Sequence, residues 1–307
     1  MSDQVGAAVP AQAGGRTLGS RLRAGLRPYH PYLLLAPAAI FLVLFLAWPA
    51  LRALIIAFQT AGGDLTLANF QQMVHEADFG LALRDTLLLL LIVIPLETTI
   101  ALAMAMLAQS RLRGTGFFLY VWSLPLAISD LAAGLVWLSI FTQHGYLNSV
   151  LQDLHLVRHP VGFLDYNNLG GLVLSVVLAE TWRSVSLVMV IVLSGVQAIP
   201  AELGEAAQML GANAWRRFWH VTLPLLKPTL QVALILRTTA AFQVFAVVLV
   251  LTGSAFPVLA TKAESWVYEY RNYQMATVYA ILLLALSSLS TIVYLAALRT
   301  PREVFGR

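Results

Sequence analysis

Apolar residues fall along this chain in six long runs separated by shorter polar stretches, at 32–58 and about 84–109, 117–141, 169–197, 227–252 and 274–297. Each run supplies the roughly 20 mostly apolar residues that a helix needs to cross a bilayer's hydrocarbon core. The pattern predicts an all-α integral membrane protein with six transmembrane helices. Residues 1–31, rich in Ala, Gly and Arg, resemble the basic region of a signal peptide. The run that follows, Tyr32 to about Phe58, is too long for a cleaved signal core and lacks a convincing small-x-small cleavage site, so it reads as an uncleaved first span behind a disordered tail.

The basic residues orient the spans. With the N-terminus inside, the cytoplasmic side holds Arg16, Arg21, Arg23, Arg27, Arg111, Arg113, Arg216, Arg217, Lys227, Arg299, Arg302 and Arg307, against Arg84, Arg158, Lys262 and Arg271 outside. Asp64, Glu76, Asp78, Asp85, Asp153, Asp165, Glu264 and Glu269 all fall outside. The resulting organisation is a cytoplasmic tail 1–31, a first span 32–58, a body 82–297 carrying the other five spans, and a cytoplasmic tail 298–307. In the outer segment 142–168, Leu147, Val150, Leu151 and Leu154 recur at helical spacing, which predicts a short helix on the membrane face.

Composition narrows the function. Of 307 residues 59% are apolar and 11% charged, with a mean hydropathy of +0.77, far from the composition of a soluble domain. Once six spans are placed, no length remains for an ATP-hydrolysing domain, and no G-x-x-x-x-G-K-[ST] stretch is present to cradle phosphates. Cysteine is absent, which removes disulfides and thiolate metal sites. The net charge of +4 is spread over membrane flanks and is no nucleic-acid footprint. His155 and His159 lie four apart, but Pro160 follows and no third ligand is evident, so no metal site is expected.

The inner segment 198–226 is the only long cytoplasmic loop. Pro200 suits a first helical position, with Glu202 and Glu205 near the positive end of the helix dipole. Leu203, Ala206, Ala207 and Leu210 make one apolar face, Gly211 fits a left-handed C-cap, and Asn213 can cap a second helix through Ala214–His220. Pro224 and Pro228 mark the return into the membrane. This helix-Gly-helix loop suits a rigid element gripped by another protein, since Ala206 and Ala207 let a groove close tightly. An interfacial hairpin with Trp215 and Trp219 among the headgroups fits the same residues.

Glu97, Asp130, Glu180, Arg183 and Arg237 lie near mid-depth of their spans at 1.5 Å per residue. Such groups cost roughly 2.5–3.5 kcal/mol each on insertion scales and face a bundle interior or a water-filled cavity. Glu180 and Arg183 are three apart and can share a face. Three acids and two bases suit salt-bridged helix packing. They also suit a polar pathway, for which Trp137, Trp182, Phe242 and Gln243 supply aromatic platforms and a hydrogen-bonding group.

The loop carries a resemblance. Glu205-Ala206-Ala207, three residues, Gly211, nine residues and Val221-Thr222-Leu223-Pro224 resemble the EAA-x3-G-x9-I-x-L-P signature of permease subunits in binding-protein-dependent ABC importers. Val221 replaces the usual Ile, and Leu210 the Asp common in the sugar-importing branch. Leu33-Leu34-Leu35-Ala36-Pro37, Asn69-Phe70, Asp85-Thr86, Trp182-Arg183, Gly195 to Pro200, and Phe242, Phe245 with Val250 to Gly253 resemble the maltose-type carbohydrate uptake branch across roughly 32–297. Departures from that branch are Asp85 for Asn, Ala246 for Asp and Ser254 for Gly.

The resemblance implies a non-catalytic permease subunit in a bacterial or archaeal cytoplasmic membrane. It would form half of a path for a sugar, oligosaccharide or polyol and couple through Glu205, Ala206, Ala207, Gly211, Leu223 and Pro224. Implied partners are a second homologous permease, two ATP-binding subunits carrying ATP and Mg, an extracytoplasmic solute-binding protein, the lipid bilayer and a small-molecule substrate, with no cofactor on this chain. A non-sugar solute is the alternative. A membrane-embedded enzyme would need a legible catalytic set, and a stand-alone secondary transporter usually shows internal repeats; neither is found in the sequence.

Overall fold

A computed structural model describes residues 30–110 and 113–298. The two expected tails fall almost wholly outside the described residues, as does Arg111. The described chain is helical, with one isolated antiparallel bridge between Gln59 and Leu65, and divides into two compact units at Ile55/Ile56. The first holds α1 (His30–Leu42) and α2 (Trp48–Ala57) up to Ile55, joined by a π-helical turn, Val43–Ala47; Leu34–Ala57 is apolar enough to span a membrane, and Ile56 and Ala57 belong to the second unit. The π turn has a local cause. Pro49 has no N–H to donate and its ring would strike the carbonyl of Phe45. The turn widens, so that the Trp48 N–H bonds to the Val43 carbonyl.

The second unit contains α3 (Ala68–His75), α4 (Phe79–Gln109), α5 (Thr115–Ser123), α6 (Asp130–Phe141), α7 (Tyr146–Asp153), α8 (Leu169–Gln197) and α9 (Ala201–Met209). It continues with α10 (Ala214–Arg217), α11 (Leu223–Phe242), α12 (Ala246–Thr252), α13 (Leu259–Tyr268) and α14 (Tyr273–Ala297). Four helices among the described residues are long and apolar enough to cross a membrane unaided, and two bent pairs bring the number to six.

The bends correct the expectation of plain spans at 117–141 and 227–252. The third span turns by 105° between Thr115–Ala127 and Asp130–Asp153, and the fifth by 48° between Ala214–Phe242 and Ala246–Thr252. At the first bend a 3-10 turn carrying Pro125 ends at Ala127, Ile128 is extended, and the Ser129 hydroxyl accepts the Ala132 N–H to start α6 afresh. A hydropathy average over the whole run passes over this, although Pro125 and Ser129-Asp130 are a local stop and start signal. Broken helices survive at membrane depth only where protein or a cavity covers the freed backbone groups.

Close approach between helices holds the second unit together. Ala101 and Ala105 of α4 are fully buried against Val185, Val188, Met189 and Val192 of α8, the small-residue packing that helices use in lipid. At Gly195 of α8 an added Cβ would lie 2.5 Å from the Thr229 hydroxyl of α11, so only glycine permits that approach. A second cluster packs Phe141, Val176, Val247, Val248 and Phe256, and a third ties Ala57 and Met73 to Leu259, Met275 and Tyr279.

The expected short outer helix exists as α7. It is pinned from beneath by Asn148, a fully buried residue that donates to the carbonyls of Thr142 (3.2 Å) and Val161 (3.0 Å) and accepts the Val161 N–H (2.8 Å).

Candidate functional site

The five mid-span charges come from four different spans and meet in one network. Arg237 of α11 donates through Nε to Glu97 Oε2 of α4 (2.6 Å) and through Nη2 to Glu97 Oε1 (2.9 Å) and Glu180 Oε1 of α8 (2.7 Å). One turn further along α8, Arg183 Nη2 donates to Glu180 Oε1 (2.9 Å), and the Ser184 hydroxyl donates to the same oxygen (3.1 Å). The remaining terminal nitrogen, Arg183 Nη1, pairs with Asp130 Oδ1 at 2.9 Å. The order is therefore Glu97–Arg237–Glu180–Arg183–Asp130. Sequence spacing anticipates only the Glu180–Arg183 link.

Burial grades this row. Glu97, Arg237 and Glu180 are 0%, 2% and 3% exposed, whereas the Arg183 and Asp130 side chains reach 19% and 44%. The inner end is a sealed three-residue ion pair, and the outer end opens at the bend of the third span, where Asp130 is the first residue of α6. Arg237 Nη1 is buried without a hydrogen-bond partner among the described residues. It borders a cavity of about 20 Å³ between Leu89, Val93, Val176 and Ala241, with room for one water molecule.

Aromatic residues flank the open end. The Trp137 ring stacks on Phe141 at 5.1 Å and meets Trp182 edge-on at 6.0 Å. Trp182 is the neighbour of Arg183, so rings and charges share a stretch of α8. The Trp137 indole N–H is buried without a hydrogen-bond partner among the described residues. Phe242 is buried, while Gln243 is exposed at the end of α11, where the fifth span bends. The candidates thus sort into a buried set (Glu97, Glu180, Arg237, Phe242) and an accessible set (Asp130, Trp137, Trp182, Arg183, Gln243).

The segment 198–226 folds as α9, a turn, and α10. Gly211 has φ +83°, and the Asn213 side chain accepts the Arg216 N–H at 2.9 Å, so both caps sit where local rules place them. Arg217 donates to Gln208 across the elbow at 3.3 Å. Leu203, Ala206 and Leu210 are left exposed by this chain, as are Glu205, Met209 and Trp215. A cleft of about 400 Å³ runs behind the elbow between Met106, Gln109, Pro200, Gly204, Arg217 and Phe218.

The expected end of the second loop helix near His220 needs correction. α10 continues through a π-helical turn, Phe218–Thr222, straight into α11, with the Leu223 N–H bonded to the Phe218 carbonyl. The cause is the one seen before Pro49: Pro224 would strike the His220 carbonyl, and the widened turn relieves it. Pro224 therefore marks a seam inside a continuous rod, which joins the elbow to the arginine at position 237 without a loop.

One polar cluster was not anticipated. On the predicted outer side, Glu76 receives Lys262 Nζ at 2.7 Å, the Tyr279 hydroxyl at 2.5 Å and Trp266 Nε1 at 3.3 Å, and Lys262 also reaches Asp78 at 3.2 Å. Burial pushes the Glu76 carboxyl up, but the bonds from Lys262 and Tyr279 outweigh it and hold the group below the ordinary carboxylate range. For Lys262 burial acts downward, and the bonds to Glu76 and Asp78 prevail and raise it. Acids and bases nearly 200 residues apart carry no local signal of such pairing. Among the described residues no three His, Cys, Asp or Glu side chains are grouped to hold a metal ion.

A bundle of broken and unbroken spans with buried charges and a capped inner elbow defines a membrane transport subunit. Residues 7–300 match the family described as the binding-protein-dependent transport system inner membrane component, and the chain belongs to that family. It is 34% identical over 250 residues to the sn-glycerol-3-phosphate transport system permease protein UgpA of Agrobacterium fabrum, covering 79% of this chain and 83% of that protein. It is 30% identical to the trehalose/maltose transport system permease protein MalF of Thermococcus litoralis, covering 89% of this chain and 94% of that one. The sulfoquinovosyl glycerol transport system permease protein SmoG of Agrobacterium fabrum is 32% identical, with 92% of each covered. The fold is that of a bacterial ABC transporter chain from a system importing the acidic polysaccharide alginate, with a TM-score of 0.74 at 22% identity over 91% of this chain and 98% of that one. The chain is a non-catalytic permease subunit of an ABC importer.

Proposed function

We propose that this permease forms half of the import path for a sugar, oligosaccharide or polyol. On this reading both termini lie in the cytoplasm, and the 198–226 elbow docks on a separate ATPase. A second permease completes the path, two ATP-binding subunits supply ATP and Mg, and an extracytoplasmic binding protein delivers the solute. The body of the permease is 82–297. The accessible set Asp130, Trp137, Trp182, Arg183 and Gln243 faces the solute, and the sealed Glu97–Arg237–Glu180 set holds three spans in register behind it. Relatives named for trehalose/maltose and sulfoquinovosyl glycerol support a hydroxyl-rich solute. A relative named for glycerol 3-phosphate keeps an anionic one in view.

The observation that carries the coupling part is the elbow. Gly211 and the Asn213 cap fix its central turn, Leu203, Ala206 and Leu210 are uncovered within this chain, and α10 continues as one unbroken helix to Arg237. A push on α10 would reach the charge network with no loop between.

The test is a pull-down of the ATPase subunit beside an ATPase assay in the reconstituted complex. Gly211→Val distorts the left-handed cap, and Glu205→Lys, in the second turn of α9, sets a positive charge at the docking face. Both variants should insert and pair with the second permease, yet lose substrate-stimulated hydrolysis. Wild-type docking and coupling in both would refute the assignment. Orientation is read separately by thiol labelling of this Cys-free chain: Ala212→Cys should react only from the cytoplasm, and Gly63→Cys and Asn167→Cys only from outside.

A further inference from the structure

The graded row of charges bears on which solutes can pass. Its reachable end consists of one carboxylate and one guanidinium held 2.9 Å apart. Arg183 is also held from its other side: Nη2 and Nε point at Glu180, at 2.9 and 3.4 Å. The next cation, Arg237, is buried and divided between two acids. An anionic solute at this wall therefore finds no cation without a carboxylate partner and meets the Asp130 carboxylate, the most exposed charge in the row. A cationic solute finds that same carboxylate already neutralised. The N-terminal end of α6, which would attract an anion, is capped by Ser129 and carries Asp130 in its first turn. What remains open are hydrogen-bonding edges of a neutral pair and the Trp137 and Trp182 rings.

We infer that Asp130 sets the charge selectivity of this half of the path: by pairing with Arg183 it leaves the accessible pair with no net charge, so that uncharged, hydroxyl-rich solutes pass in preference to phosphorylated, sulfonated or carboxylated ones. The inference rests on the reading that the accessible set lines the path, and it separates this chain from a carrier of anions.

The experiment places a reporter thiol at exposed Ser129, beside Asp130, in the full-length Cys-free chain in membranes with its partner subunits. Three methanethiosulfonate reagents of similar size, ending in a neutral hydroxyl, a sulfonate or a trimethylammonium, are compared, each rate normalised to its rate with a free thiol. With Asp130 and Arg183 intact, the neutral reagent should outpace both charged ones. Asp130→Asn should raise the anionic-to-neutral rate ratio about fivefold, as expected for unmasking one charge in a partly hydrated site. Arg183→Gln should move that ratio the other way and raise the cationic one, so the two variants report with opposite signs and a general loosening of the fold cannot mimic the result. If none of the reagents reacts, position 129 is not on a water-filled path, and the inference falls together with the path assignment. If all three react and neither substitution moves the ratios, or if the intact site favours the sulfonate or the trimethylammonium reagent, the path assignment stands and the charge-selectivity inference is overturned.

Discussion

Replacing Arg237 by Gln tests whether the sealed end of the network holds the bundle. The arginine makes three hydrogen bonds of 2.6–2.9 Å to Glu97 and Glu180. Removing it leaves Glu97, fully buried, with no cation in contact, while Glu180 keeps Arg183 and Ser184. Breaking a buried pair from one side costs about 3–5 kcal/mol, because a desolvated charge is left uncompensated. Proton uptake by Glu97 sets a ceiling on that cost. Glu97→Gln alone should be milder, since Arg237 retains Glu180. The double variant Glu97→Gln/Arg237→Gln removes the orphan charge and should recover about 2 kcal/mol or more relative to the sum of the singles. Reversible unfolding in mixed micelles, followed by tryptophan fluorescence, gives the three values. Additive losses would mean that the two residues do not act as a pair, and the structural role assigned to the sealed set would be wrong.

At the elbow, Gly211→Asn should keep coupling while Gly211→Val loses it, because φ +83° costs a β-branched residue about 1–2 kcal/mol that asparagine largely escapes; equal behaviour of the two in the ATPase assay would discount the cap. Asn148→Ala removes three hydrogen bonds that staple the outer segment and should cost about 1–3 kcal/mol, read as faster proteolytic nicking near 155–160 with the spans intact. The Glu76–Lys262 cluster should hold across neutral pH. Glu76, titrating below its ordinary range, contributes stability that is fully present above that range and is lost as pH falls through its lowered value. Lys262, titrating above its ordinary range, contributes stability lost only as pH rises through its raised value. Trp266 fluorescence should therefore stay flat from about pH 5 to 9, and a transition near neutrality would contradict the arrangement.

The sequence by itself determined what depends on neighbours along the chain. Six apolar runs, the Glu180–Arg183 spacing, a short helix within 142–168, and Gly211 and Asn213 as caps were all legible, because hydropathy, helical period and capping act over a few residues. The family resemblance was legible in the elbow for the same reason, a short stretch with fixed spacing. Only the tertiary structure decided the rest. Arg237 and Glu97 lie 140 residues apart, and which of three acids an arginine meets depends on how four helices pack. The bends were hidden from a hydropathy average that runs over Pro125, Ser129-Asp130 and Gln243, and whether the chain breaks there depends on protein covering the freed backbone groups. The continuity of α10 with α11 was hidden behind two prolines that, read alone, signal an end, until a widened turn let the helix run on. The same packing buries Glu97 and leaves Asp130 open, a difference in surroundings between two carboxylates that no spacing along the chain encodes.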